Sequence, residues 1–224
     1  MKAAVVILAA GSGSRFGHAT NKVWLPLEGK TVICRTISNA HQAFPDSRLL
    51  LVISPDDEAM ARTILQKELP DINIEITYGG ATRHGSEYQA LAHLQSDIES
   101  GAIDVVLIHD GARPLATPDL YRKIAEVAFE KGGAIPTTTI NPIEIDANHD
   151  TQIVRVQTPQ GFRAKELLIA YQSAEVDGFT GTDTGACVEK YFPSIKAIAV
   201  EAEVSNLKIT FAQDLQVAAA LLKS

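Results

Sequence analysis

Residues Ala9-Ala10-Gly11-Ser12-Gly13-Ser14-Arg15-Phe16-Gly17 follow directly on an apolar run, Ala3–Leu8. Glycines at that spacing let backbone N–H groups approach an anion closely, so Ala10, Gly11, Ser12 and Gly13 form the expected cradle for a phosphate chain. Arg15 lies inside the loop, and Lys22 follows it ahead of Val23-Trp24-Leu25-Pro26-Leu27. Neutral donors combined with a fixed Arg and Lys suit the stabilisation of charge that builds on a phosphorus during transfer. Two other phosphate motifs fail on their residues. The dinucleotide fingerprint needs Gly at position 16 and finds Phe16, with Gly17 one place late, and the run Leu49–Ile53 leads into Ser54-Pro55 without an acidic residue at its end. A Walker A loop fails because Trp24 stands where the first glycine ahead of Gly29-Lys30-Thr31 is required.

The elements that must position these residues read as alternating strands and helices. Ala3–Leu8 is continuously apolar, as expected of a strand buried on both faces of a parallel sheet. Helix Thr31–Phe44, strand Leu49–Ile53, a helix running from Ser54-Pro55-Asp56 to about Leu69, strand Ile72–Thr77, helix Arg83–Gln95 and strand Val105–Ile108 follow. Thr117-Pro118 caps a helix that ends near Lys131-Gly132-Gly133. Thr137–Arg155 is polar and turn-rich and reads as a protruding arm. Strands Ile195–Val200 and Leu207–Thr210 and a closing helix Ala212–Leu222 complete the pattern. The expected fold is α/β: one domain over residues 1–224, doubly wound around a mostly parallel sheet, with ligands at the C-terminal ends of the strands. The 224 residues are 46% hydrophobic and 21% charged with a net charge of −7, which fits one core and argues against an extended grip on nucleic acid. No apolar run reaches the roughly 18–20 residues of a membrane span, Met1–Ala10 reads as a strand rather than a signal peptide, and Cys34 and Cys187 form no disulfide framework. A cytoplasmic protein is expected.

Five motifs then occur in order along nearly the whole chain: Leu8–Gly17 with Asn21-Lys22, Gly79-Gly80-Ala81-Thr82-Arg83-His84-Gly85-Ser86, His109-Asp110-Gly111-Ala112-Arg113-Pro114, Gln157-Thr158-Pro159-Gln160-Gly161-Phe162, and Asn206-Leu207-Lys208-Ile209-Thr210. Together they resemble the successive signatures of the 2-C-methyl-D-erythritol 4-phosphate cytidylyltransferase family; the related ribitol-5-phosphate cytidylyltransferases share them. The resemblance implies a Rossmann-like nucleotidyltransferase that moves CMP from CTP to a small polyol phosphate and releases pyrophosphate, with a place in isoprenoid synthesis by the methylerythritol phosphate route. It implies that Arg15, Lys22 and Lys208 stabilise the α-phosphorus, that Gly80, Ala81 and Ser86 read the cytosine, and that Arg83 braces their loop. Asp110 would face the ribose or Mg²⁺, for which a strand-end carboxylate is a suitable hard ligand. Arg113, Thr158 and Thr182 would serve the acceptor end. His109 is expected to be structural, since a phosphate monoester is already nucleophilic at neutral pH.

The arm departs from the family pattern. The stretch Pro136–Ile145 lacks the expected Asp-Thr pair and Lys, the interval to Thr158 is short, and Arg155 is its only cation. The acceptor therefore stays open between methylerythritol phosphate and ribitol phosphate or another polyol phosphate. An NAD(P)-dependent oxidoreductase and a non-catalytic nucleotide binder are the readings from other classes. The polar stretch Thr137–Arg155 could not be buried within its own domain without many unpaired backbone groups, so a homodimer is expected, with Ile140, Ile143, Ile145 and Ile153 available for its contact.

Overall fold

Strand formation at the centre follows from side chains that are apolar in both directions. In the computed structural model, which describes residues 1–11, 21–139 and 154–223, β1 (Ala3–Leu8) lies between β4 (Arg48–Ile53) and β6 (Val105–Asp110) and runs parallel to both, with Val5 opposite Leu49 and Leu107. Alternate residues face opposite layers. Val5, Ile7, Leu49, Leu51 and Leu107 pack under α1 (Val32–Ala43), α2 (Glu58–Glu68) and α4 (Pro118–Lys131). Ala4, Val6, Leu50, Val52, Val106 and Ile108 pack under α3 (Arg83–Ser100), α5 (Ala164–Asp177) and α6 (Thr184–Tyr191).

Among the described residues the main sheet has eight strands. The remaining ones are β5 (Glu75–Tyr78) beyond β4, then β9 (Gln160–Arg163), β7 (Gly133–Thr139) and β10 (Ile198–Glu201) beyond β6, with β8 (Val154–Val156) paired to β7. β9 is antiparallel to both neighbours and β8 is antiparallel to β7; the other pairings are parallel. A small hairpin, β2 (Pro26–Leu27) with β3 (Lys30–Thr31), leads into α1. α7 (Ala212–Leu221) packs on that hairpin through a minor core of Leu27, Val32, Ile209 and Ala218.

The doubly wound, mostly parallel α/β sheet is as expected from the sequence, and α4 has the expected caps: Thr117 Oγ1 accepts from Leu120 N at 3.2 Å, Pro118 opens the helix and Gly132 closes it at φ +101°. Three expectations are corrected. Leu207–Thr210 is no strand of the sheet; only Ile209 N reaches back, to the Ala112 carbonyl at 2.8 Å, so the segment alternates a buried Ile209 with an outward Lys208. β10 begins at Ile198 and β5 at Glu75, later than their apolar runs suggest. Thr137–Thr139 complete β7 and Val154–Val156 pairs back on them, so the two ends of the proposed arm belong to the sheet. Its remaining residues, Ile140, Ile143, Ile145 and Ile153 included, lie outside the described residues. No helix among the described residues is long and apolar enough to cross a membrane.

Candidate active site

Parallel pairing of β1 with β4 and β6, and of β4 with β5, sends four strand ends to one edge of the sheet. A cleft of about 540 Å³ opens there. It is lined by Ala10, Gly11, Lys22, Gly80, Ala81, Arg83, Ser86, Asp110 and Lys208, with Leu8, Ala9, Asn21, Val23, Thr82 and Ala112 between them. The chain leaves β1 for β4 on one side and returns to β6 on the other, and such a switch point is where ligands of open α/β sheets gather.

Each segment has a local reason for its place. The Asn21 amide donates to the Ala9 carbonyl at 2.7 Å and its oxygen accepts from Val23 N, so the turn carrying Lys22 is tied to the end of β1. Thr82 caps α3 by accepting from Gly85 N at 2.9 Å, and the Ser86 hydroxyl donates to the Thr82 carbonyl at 2.9 Å. The loop is folded so tightly on that first turn that a Cβ at Gly80 would lie 2.9 Å from the Gly85 carbonyl carbon. The loop and the first turn of α3 thus present Gly80, Ala81, Thr82, Arg83 and Ser86 to the cleft.

Asp110 ends β6 and gathers three cations. Arg83 Nη1 pairs with Oδ1, while Lys208 Nζ lies 2.9 Å and Arg113 Nε 3.5 Å from Oδ2. Burial alone would raise the Asp110 carboxyl, but Arg83, Lys208 and Arg113 hold it well below the usual carboxylate range. Arg83, whose burial disfavours its charge, is held charged by Asp110 and Glu87. Glu87 Oε1 sits 2.9 Å from Arg83 Nε and accepts from Thr184 Oγ1 at 3.2 Å, and Tyr171 donates its hydroxyl to Oε2.

His109 is fully buried with both nitrogens engaged. Asp110 N donates to Thr158 Oγ1 at 3.0 Å, that hydroxyl donates to His109 Nδ1 at 3.0 Å, and His109 Nε2 donates to the Arg113 carbonyl at 3.3 Å. This is the arrangement of protons that satisfies all three contacts. Burial pushes the imidazole down to about 3, so it stays neutral and serves as a strut under Asp110.

The structure thus brings together Ala10, Gly11, Lys22, Gly80, Ala81, Arg83, Ser86, Asp110 and Lys208. Arg15, Ser12 and Gly13 lie outside the described residues. Arg113, Thr158 and Thr182 were expected at the acceptor end, and none of them lines this cleft among the described residues. Arg113 is turned inward, donating to the Asn206 carbonyl at 2.7 Å; Thr158 is buried beneath Asp110; Thr182 is exposed on the loop before α6. Sequence reasoning gave no role to Asn21 or Glu87. The signal for Glu87 was its spacing with Ala90, Leu91, Leu94 and Ile98, which places an acid on the buried stripe of α3.

A family model for IspD, 2-C-methyl-D-erythritol 4-phosphate cytidylyltransferase, matches residues 3–224. The chain belongs to this family. It is 34% identical over 232 aligned residues to the 2-C-methyl-D-erythritol 4-phosphate cytidylyltransferase of Bacillus velezensis, covering 100% of this chain and 97% of the relative. Against that of Bacillus cytotoxicus the identity is 33%, covering 97% and 96%. Among solved structures, 4-diphosphocytidyl-2C-methyl-D-erythritol synthase from Anaerococcus prevotii superposes with a TM-score of 0.80 at 28% identity, covering 100% of this chain and 96% of that one. The Thermus thermophilus 2-C-methyl-D-erythritol 4-phosphate cytidylyltransferase gives 0.75 at 26% identity with complete coverage of both. As a member of the cytidylyltransferase family the chain is a nucleotidyltransferase, and the dinucleotide-dependent oxidoreductase alternative falls.

Proposed function

We propose that this cytidylyltransferase transfers CMP from CTP to 2-C-methyl-D-erythritol 4-phosphate and releases pyrophosphate. The observation that carries the reading is the convergence of the β1 turn, the start of α3, Asp110 and Lys208 on one cleft. A phosphate oxygen of the acceptor attacks the α-phosphorus, the bond to the bridging oxygen of the β-phosphate breaks, and pyrophosphate leaves with the electron pair. Lys22 reaches the cleft from the turn that follows β1 and Lys208 from the segment that precedes α7, and with Arg15 they meet the charge that grows on the transferring phosphorus. Gly80, Ala81 and Ser86 offer a close-fitting edge for the base. No protein group is needed as a base, and the neutral, enclosed His109 supplies none.

Mg²⁺ belongs to the same proposal. Asp110 is the one carboxylate among the described cleft-lining residues, and no group of three His, Cys, Asp or Glu converges among the described residues. A carboxylate already paired with Arg83 and Lys208 would give the ion at most one protein ligand, and phosphate oxygens and water would supply the rest of its shell. When bound with the triphosphate, the ion would neutralise charge on the leaving pyrophosphate. A homodimer through the arm, in the cytoplasm, completes the reading. It is supported by the exposed Val154 and Val156 at the root of the arm and by two buried free thiols.

The test is pyrophosphate release with CTP, ATP or GTP against a panel of polyol phosphates. Release with CTP and 2-C-methyl-D-erythritol 4-phosphate is expected; release with ribitol 5-phosphate instead would reassign the acceptor. CTP at a hundred times its dissociation constant should stabilise the protein by about 2.7 kcal/mol, and equal stabilisation by ATP would refute the cytosine edge. Light scattering on the intact chain checks the dimer, and a monomer would refute it.

A further inference from the structure

Beyond the buried His84 and Ser86 of its first turn, helix α3 carries its buried residues at 87, 90, 91, 94 and 98, the spacing of one continuous face. Four of these positions hold apolar residues; the first holds Glu87, 1% exposed. An apolar side chain there would pack α3 against α5 without the several kcal/mol that desolvating a carboxylate costs, so the acid asks for an account beyond packing. Its partners supply one. Oε1 lies 2.9 Å from Arg83 Nε, one helical turn back, and takes the Thr184 hydroxyl at 3.2 Å; Oε2 takes the Tyr171 hydroxyl. Arg83 turns Nη1 to Asp110 at the cleft. The guanidinium therefore lies between a fully enclosed carboxylate and one at the cleft floor, which leaves Asp110 Oδ2 to Lys208 and Arg113.

The same carboxylate reaches the other side of the molecule. Thr184 is the first residue of α6, directly after Gly181-Thr182-Asp183, and Asp183 is itself held by Gln160 Nε2 at 3.1 Å. Tyr171 stacks its ring on His84, the second residue of α3, at 4.6 Å between centroids. One side chain thus fastens the start of α3, the middle of α5 and the start of α6 at a single point beneath the cleft. Both oxygens of Glu87 are engaged, and Arg83 Nε is held beside it as an ion pair without a hydrogen bond, so the helices are tied by polar contacts that apolar packing does not supply.

Resting on the transfer reading above, we propose that Glu87 is a positioning residue for cytidylyl transfer, holding Arg83 against Asp110 at the nucleotide end and the start of α6 in register with it. It touches neither substrate. Its effect passes through Arg83 to the nucleotide and through Thr184 to the loop that follows β9 and α5.

The experiment measures CTP dissociation constant, kcat, acceptor KM and melting temperature for the wild type, Glu87→Gln, Thr184→Val, Arg83→Gln and the Glu87→Gln/Arg83→Gln pair. Glu87→Gln keeps the shape and one accepting oxygen, obliges the other hydroxyl to turn and accept from the amide, and removes the carboxylate that faces Arg83; it should weaken CTP about tenfold and lower kcat comparably. The pair should bind CTP no more weakly than Arg83→Gln alone, since both lose the same anchor. Thr184→Val should raise acceptor KM with CTP affinity held within about twofold. Wild-type protein that releases no pyrophosphate would overturn the transfer reading itself. Active wild type with unchanged CTP affinity and kcat in Glu87→Gln, or strictly additive losses in the pair, would overturn the role of Glu87. Should Glu87→Gln not fold, Tyr171→Phe leaves the carboxylate in place and removes one of its donors. A two- to threefold weaker CTP affinity, about what one hydrogen bond's loosening transmits, is then expected, and loss of stability alone would overturn the proposal.

Discussion

Replacing Asp110 with Asn separates the two jobs that the carboxylate does. In the absence of nucleotide it is the anion that holds Arg83, Arg113 and Lys208 together, and Asn would leave the three cations facing one another with only Glu87, on Arg83, to offset them. Deleting one partner of a buried ion pair costs about 3–5 kcal/mol. Lys208 is 39% exposed, so solvent screens its share and the lower end, about 3 kcal/mol, is the expected loss. For a chain of this length that corresponds to roughly 6–12 °C in melting temperature. Since the folded carboxyl is held below its unfolded value, the unfolded chain binds the extra proton and stability rises with pH across that interval. The wild-type advantage should therefore be complete and flat from pH 5 to 8 and shrink only below about pH 4, the ordinary aspartate range. Urea unfolding of apoprotein followed by circular dichroism measures it. A polyanion should also act in opposite proportion to stability: tripolyphosphate, offered three cations that have lost their shared carboxylate, should stabilise Asp110→Asn more than the wild type. A deficit within about 1 kcal/mol, or equal stabilisation of both proteins by tripolyphosphate, would refute the claim that Asp110 organises the cations.

Lys22→Ala should lower kcat by about 10²–10³-fold with a smaller change in CTP affinity, measured by pyrophosphate release; near-normal turnover would remove Lys22 from the chemistry. Ala81→Leu, at an exposed cleft position, should weaken CTP about tenfold or more at nearly constant melting temperature, whereas Gly80→Ala should lose stability as well because its Cβ meets the Gly85 backbone; equal melting temperatures would contradict the tight loop. His109, neutral in the fold at about 3 and able to bind a proton once unfolded, should contribute a loss of roughly 1.4 kcal/mol per pH unit as pH falls from about 6.5, and His109→Gln should flatten that slope in urea unfolding across pH 4–7. Deleting Ile143–Gln152 should convert a dimer to a monomer by light scattering while CTP binding persists; a persisting dimer would place the contact elsewhere.

What the sequence made legible, and what it hid, divides along burial. Ala3–Leu8, Leu49–Ile53 and Val105–Ile108 are covered on both faces, so their apolar runs announce strands, and the ends of those strands place Asp110 and the β1 turn on one edge. β7 and β9 gave no such signal. Gly133–Thr139 is built from small and hydroxyl side chains, and in Gln160–Arg163 the buried residues are Gln160, Gly161 and Phe162, of which Gln160 faces inward because Gly185 N and Asp183 use its amide. A polar residue that is buried in order to hold another loop looks, in sequence, like a residue on the surface. Lys208 shows the converse: its neighbours Leu207 and Ile209 imitate a strand, yet the segment needs only one backbone bond to Ala112 to bury Ile209 and turn the ammonium to Asp110. Glu87 is the sharpest case. Its position on the apolar stripe of α3 was readable, but its meaning depends on Tyr171 and Thr184, 84 and 97 residues away, and no local pattern encodes a contact that only packing α5 and α6 onto α3 creates.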